Sequence, residues 1–254
     1  MSREDDTYFG NAYRFISFDA LWKTVQTRSL RLTRVDKLND PLDTSAYISV
    51  DKFFWSHALN DSHVKQIQEL LFNRLLSKIY IACFSKIYKS RESYLMWAYY
   101  ANGHTQLCFE LNFQRFPILE GPLSVNYVDS LVRLRNRIEK NIQMKVQALL
   151  MSKSSIWKHE QEVRLLYKNN VEVDKAYKFS DDRYRLFIPF NPRTISKVIF
   201  GLSSNTIDEI KTIKLFLSIG HAPRFEKMII NPLTLKLESR KYIFKMTDLD
   251  GSDK

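Results

Sequence analysis

Apolar positions fall into short alternating runs separated by stretches with helical spacing, and that mixture sets the expected elements. Residues 12–17 alternate, with Tyr13 and Phe15 on one face and Arg14 and Ile16 on the other. Ser17 or Asp19 is placed to cap a helix through Leu21, Trp22, Val25 and Leu30. Leu30-Arg31-Leu32-Thr33 then alternates like a strand and leads to Asn39-Asp40-Pro41-Leu42-Asp43. That segment reads as a turn, because Pro41 forces Asp40 out of the α region. Helical spacing returns over 61–78, with Val64, Ile67, Leu70, Leu71, Leu75 and Leu76. Residues 79–85 are too apolar for anything but a buried strand, and Ser85 ends it.

Residues 92–101 predict a helix rich in aromatics, turned by Asn102-Gly103-His104 into a strand over 106–111. A basic helix is expected over 129–153. There Leu131, Leu134, Ile138, Ile142, Val146 and Leu149 form an apolar stripe, and Arg133, Arg135, Arg137, Lys140, Lys145 and Lys153 a basic outer face. Strands are expected at 157–167, 185–189 and 197–200, the last ending at Gly201. A helix over 205–219, a strand pair at 225–230 and 234–237, and a further segment at 241–246 complete the chain. Strands and helices intermixed without regular alternation predict an α+β fold.

Composition narrows the class. Six Gly and seven Pro in 254 residues leave little material for linkers, which favours one domain over residues 1–254. A formal charge of +11 favours polyanionic partners, such as nucleic acid or phosphate-bearing cofactors. Cys83 and Cys108 lie in apolar runs and read as buried thiols, neither a disulfide nor a metal site. The polar start Met1-Ser2-Arg3-Glu4-Asp5-Asp6 has no signal core, and no run approaches the ~18 apolar residues of a membrane span. No membrane partner and a cytoplasmic location are therefore expected.

Candidate chemistry centres on Trp157-Lys158-His159-Glu160-Gln161-Glu162-Val163-Arg164. Read as a strand, it places Glu160, Glu162 and Arg164 on one face and Val163 and Leu165 on the other. The alternative is a solvated edge strand whose Glu and Arg pair along its length. No Gly-rich phosphate loop, Walker sequence, dinucleotide fingerprint or Gly-x-Ser-x-Gly elbow is present. The five His form no metal spacing. What remains is an Arg on the first strand, a Ser ending a buried strand, and a Glu-x-Glu later in the chain.

An ordered set of motifs carries a resemblance. It comprises Tyr13-Arg14, Leu30-Arg31-Leu32 with Leu38-Asn39-Asp40-Pro41-Leu42-Asp43, Cys83-Phe84-Ser85, Met96-Trp97-Ala98-Tyr99-Tyr100-Ala101, Val125-Asn126-Tyr127, Lys153 with Trp157 to Arg164, and Ile199-Phe200-Gly201. On these motifs the chain is identified, over residues 12–201, as a member of the bacterial family called domain of unknown function 2971. The order Arg, Ser, Glu-x-Glu also resembles ADP-ribosyltransferases of the Arg-Ser-Glu type, whose split, mixed β-sheet holds NAD. The fuller Ser-Thr-Ser element usual there is replaced here by Cys83-Phe84-Ser85-Lys86.

The resemblance implies an NAD-dependent ADP-ribosyltransferase. Arg14 would grip the pyrophosphate, Ser85 would position the ribose or the catalytic Glu, and Asn39, Asp40 and Tyr99 would lie at the cofactor. Glu162 would stabilise positive charge on the anomeric carbon as nicotinamide leaves, and Glu160 would orient or deprotonate the acceptor. Each residue has a plainer reading beside this one. Arg14 is an ion-pair partner for Asp40, Asp43 or a Glu; Asn39-Asp40-Pro41 is a rigid turn; Ser85 is a strand-end hydroxyl. Trp97, Tyr99 and Tyr100 are core residues, and His104 is on the surface. The basic stretch favours nucleic acid, RNA foremost, as acceptor. A toxin or phage-defence role, with an antitoxin protein as partner, is an analogy only. The alternatives are a non-catalytic nucleic-acid-binding module and an NAD glycohydrolase.

Overall fold

Short-range signals account for most element boundaries in the computed structural model, which describes Tyr8 and residues 10–38, Arg74, and residues 76–113, 122–129, 150–168, 178–179 and 184–244. Strand β1 (Asn11–Ile16) enters α1 (Phe18–Thr27) through Ser17, whose hydroxyl accepts from the Ala20 amide and caps the helix. The helix stops at Arg28, in the left-handed region, whose N–H returns to Thr24 and Val25 carbonyls. There follow β2 (Ser29–Arg34), β3 (Ile79–Ser85), α2 (Ser93–Tyr100) and β4 (Leu107–Asn112). Next come the short strands β5 (Leu123–Ser124), β6 (Asn126–Val128) and β7 (Ser152–Ser154), a 3-10 turn at Ser155–Glu160, and β8 (Glu162–Lys168). The chain closes with β9 (Lys178–Phe179), β10 (Arg185–Pro189), β11 (Ile195–Phe200), α3 (Thr206–Ser218), β12 (Arg224–Ile230) and β13 (Leu237–Lys241). The protein is mixed α+β, as the pattern predicts.

Three sequence expectations change. The expected strand over 157–167 is a 3-10 turn as far as Glu160, and Gln161, at φ 43°, breaks it before β8 starts at Glu162. Helix is not continued to 153, because residues 152–154 form β7 and the Lys153 side chain is buried. The strand expected at 234–237 is a turn in which the Asn231 side chain accepts from the Leu233 amide, and β13 begins at Leu237. The Asn39–Asp43 turn, the helix over 61–73 and the basic residues 133–145 lie outside the described residues.

Contacts divide the chain into two compact units. The first is Met1–Tyr8, Arg31–Cys83 and Ile118–Ile188; the second is Phe9–Leu30, Phe84–Pro117 and Pro189–Lys254. In the first, β3 lies between β2 (Thr33 opposite Ile81) and β8, which also pairs with β5 (Leu123 opposite Arg164). A separate parallel pair, β6–β7, sets Tyr127 beside Lys153. Val35, Ile79, Ile81, Leu150 and Leu166 centre its core, each apolar side chain stabilising by about 1.5–3 kcal/mol when fully buried.

In the second unit the sheet order is β13-β12-β11-β4-β1, and Ser85 pairs with Tyr13 beyond β1. Only β11–β12 is parallel within that described set. Helices α1 and α3 meet through Trp22 Nε1, which donates to Thr212 Oγ1 at 2.9 Å, over stacked Phe18 and Phe200. Side chains alternate, so Phe15, Cys108 and Ile199 face the other way and pack with Trp97 of α2. Gly201 ends β11 where its N–H donates to the Gln106 carbonyl. A Cβ there would sit 2.2 Å from the His104 oxygen, so only glycine fits this approach.

Candidate functional site

In the first unit four charged side chains that the sequence scatters over twelve positions become neighbours. Pairing of β7 with β6 sets Lys153 beside Tyr127, the 3-10 turn delivers Glu160, and β8 presents Glu162 and Arg164. Lys153 Nζ donates to Glu160 Oε2 at 2.6 Å and to Glu162 Oε2 at 3.2 Å. Arg164 grips Glu162 with both ends of its fork, Nε to Oε1 at 2.7 Å and Nη2 to Oε2 at 3.1 Å, while Nη1 donates to the Leu150 carbonyl at 2.6 Å. The Glu162 amide donates to the Tyr127 hydroxyl at 2.7 Å. All four are buried, Arg164 completely, so the group is a buried ion network and not the solvated edge that the charge run allowed.

Burial alone would push the Glu162 carboxyl up. Attraction from Arg164 and Lys153, with hydrogen bonds from Arg164 and Cys83, outweighs it and brings the group down to about 2. Glu162 is therefore ionised at every physiological pH. On the 3-10 turn that precedes β8, Trp157 Nε1 and His159 Nε2 are buried with no hydrogen-bond partner among the described residues. Lys153 Nζ lies 5.3 Å from the Trp157 ring centre. Buried polar atoms left unpaired are rare and call for a reason.

The remaining candidates separate. Tyr13 stands opposite Ser85, so the two share a face of the second unit's sheet, and Arg14, one residue on, points to the other face. Arg14 accordingly lies over the Phe84 ring, 5.5 Å from its centre. A ligand against one face of that pair meets Arg14 or Ser85 there, not both. Ser85 is fully buried and its Oγ accepts from the Ile87 amide at 3.2 Å, a strand-end role. Trp97 is core, as expected, but Tyr99 is 61% exposed and Tyr100 42%. The helix is too short and too apolar all round to bury them. His104, expected on the surface, is buried between Tyr94 and Trp97. Asn39 and Asp40 lie outside the described residues.

A second polar network, in the second unit, escaped the sequence reading. Glu110 accepts from Tyr13 Oη at 2.7 Å, Ser196 Oγ at 2.6 Å and Lys197 Nζ at 3.0 Å. Glu226 accepts from Ser239 at 2.6 Å and Tyr88 at 3.2 Å, and pairs with Arg224 at 2.8 Å. Burial would raise Glu110, but bonds from Ser196, Tyr13 and Lys197 prevail and lower it. The available signal was Glu110 itself, one charge in an otherwise apolar strand. No cluster of metal-ligating side chains occurs among the described residues, and none of their helices is long and apolar enough to cross a membrane. No protein-family model, curated protein or solved structure matches the chain.

Proposed function

We propose that the protein is an NAD-dependent ADP-ribosyltransferase with a split-sheet α+β fold and a nucleic-acid acceptor, RNA foremost. The ordered motifs supply the reaction class. The observation that carries the proposal is a permanently ionised buried carboxylate, Glu162 at the start of β8, directly after a turn that holds two unpartnered buried polar atoms, Trp157 Nε1 and His159 Nε2. Carboxylates with a strongly perturbed pKa cluster at functional sites.

In this reading the C1′–N bond of NAD breaks and nicotinamide leaves with the bonding pair. Glu162, held rigid by Arg164 and Lys153, stabilises the resulting oxocarbenium ion without reorganising. An acceptor hydroxyl or amine attacks C1′ and gives its proton to Glu160. NAD is consumed as a substrate. The bacterial cytoplasm and a toxin or phage-defence role, with an antitoxin partner, belong to this proposal by analogy.

One observation favours a rival. Glu162 is bonded by Arg164 and Lys153 together, and their charges offset its pull on an incoming cation. In the rival reading the network orders the first unit and the protein binds nucleic acid without chemistry. Incubation with NAD labelled in the adenylate, alongside RNA, DNA or cell protein, separates them. Label on RNA is the expected result, and E162Q lowers its rate at least ~100-fold, the scale of losing one preorganised charge. Free ADP-ribose would mean a glycohydrolase; unconsumed NAD refutes both enzymatic readings.

A further inference from the structure

The second unit holds a cavity of about 820 Å3, within the roughly 300–1,000 Å3 of ligand pockets. Its charged lining is basic. Lys89, Arg91 and Tyr94 line it from the segment entering α2, and Lys236, Glu238 and Ser239 from the turn into β13. Lys89, Arg91 and Lys236 are exposed, and none forms an ion pair with a described carboxylate. Glu238, the one carboxylate among the described lining residues, accepts from Asn231 Nδ2 at 2.7 Å. The site thus offers three cations against one engaged anion.

An aromatic surface adjoins these cations. Tyr94 is 41% exposed, and its ring is held edge-on by His104 at 4.8 Å between centres. His104 in turn stacks parallel to buried Trp97. Tyr94 is therefore a braced platform. Cations that take phosphates beside a fixed aromatic ring that takes a base face are the two halves of single-strand recognition. Duplex bases have both faces stacked and offer none to Tyr94. A bilayer is flat, whereas this site is concave.

We propose that this cavity binds single-stranded nucleic acid, with Lys89, Arg91 and Lys236 on the phosphates and a base on Tyr94. The inference deepens the nucleic-acid part of the proposed function and rests on it only for the fate of the bound strand. Binding is measured without NAD. Its failure leaves chemistry at Glu162 standing, and an inactive E162Q leaves the cavity's binding standing.

The experiment follows the anisotropy of a fluorescein-labelled 12-nucleotide oligouridylate from 50 to 200 mM salt. Affinity is expected to fall with salt, with a log–log slope of about −0.7 for each phosphate contacted. Arg91→Glu/Lys236→Glu should weaken binding at least ~10-fold and flatten that slope by about 1.4. Arg91→Lys/Lys236→Arg, which keeps both charges, should restore affinity and slope, separating charge from folding. Lys23→Glu/Lys214→Glu changes net charge equally on exposed faces of α1 and α3 and should leave affinity within about threefold. Tyr94→Ala should lower affinity roughly 5- to 150-fold with the slope unchanged, the range for one stacked base. The proposal is overturned by absence of oligouridylate binding, by equal loss in the cavity and control pairs, or by retention on phosphatidylserine vesicles without oligonucleotide binding.

Discussion

Glu162→Gln keeps the shape of the side chain and removes its charge, so it probes the buried network where the geometry is most demanding. In the native network two cations face two carboxylates. The substitution leaves Lys153 and Arg164 against Glu160 alone, and Arg164 has no exposure through which water can compensate. Removing one partner of a buried pair costs about 3–5 kcal/mol. The Gln carbonyl can keep one bond from Arg164, recovering about 1 kcal/mol, while its amide donors face the donors of Arg164 and Lys153. A loss of about 2–4 kcal/mol follows, a large part of the roughly 5–15 kcal/mol that holds a domain folded. Near-isosteric shape suggests a silent replacement; the structure says otherwise. The carboxyl's folded value of about 2, against an ordinary 4.5, points to the same scale, on the order of 3 kcal/mol. Because the folded value is depressed, that stability is complete above the unfolded pKa and disappears as pH falls from about 4.5 through about 2. Urea titrations read by fluorescence should show a midpoint lowered by about 1 M at pH 7, for a slope near 3 kcal/mol/M, with the gap closing toward pH 2. Superimposed curves at pH 7, or a gap that persists in acid, would refute the ion-network reasoning.

Gly201→Ala should cost at least the ~1–3 kcal/mol of overpacking, because its Cβ meets the backbone oxygens of His104 and Gln106 at 2.2 and 2.6 Å; calorimetry should show a melting point several degrees lower. Arg14→Ala should weaken NAD binding by titration calorimetry while leaving oligouridylate affinity unchanged, and unaltered NAD affinity would remove Arg14 from the cofactor site. Burial pushes the Cys108 thiol well up, so iodoacetamide at pH 8 should label the partly exposed Cys83 first; mass spectrometry showing equal labelling would contradict the burial of Cys108.

The sequence was legible where a local rule governs. The unbroken apolar run of β3, the Ser17 cap and the helical spacing of α3 each survive in the structure because period and capping are short-range effects. It was illegible where a distant partner decides. Lys153 reads as one more cation on a helix face, and nothing local says that Glu160 and Glu162 will receive it in the interior. Gln161 adopts a left-handed conformation that glycine or asparagine normally announces, so Glu160 was assigned to a strand it precedes. His104 follows a plain turn signal, yet the rings of Tyr94 and Trp97 bury it. Arg14 and Ser85 were correctly placed on strands, but which face each takes depends on the Tyr13–Ser85 register, which no single segment encodes.

The strand order of the second unit also sets a timetable for synthesis. β1 emerges first, but its full-length partner β4 follows about ninety residues later, a wait of roughly 5–20 s at common translation rates. β4 in turn takes β11 as its other neighbour, at residues 195–200. Throughout that interval the nascent chain displays Tyr13 and Phe15 beside unpaired peptide groups, a bare edge of the kind that captures other chains. Such long-range pairing also slows refolding. A cell making this protein therefore depends on whatever shields its first strand until the later ones leave the ribosome, and expression at low temperature with abundant chaperone should raise the yield of folded chain.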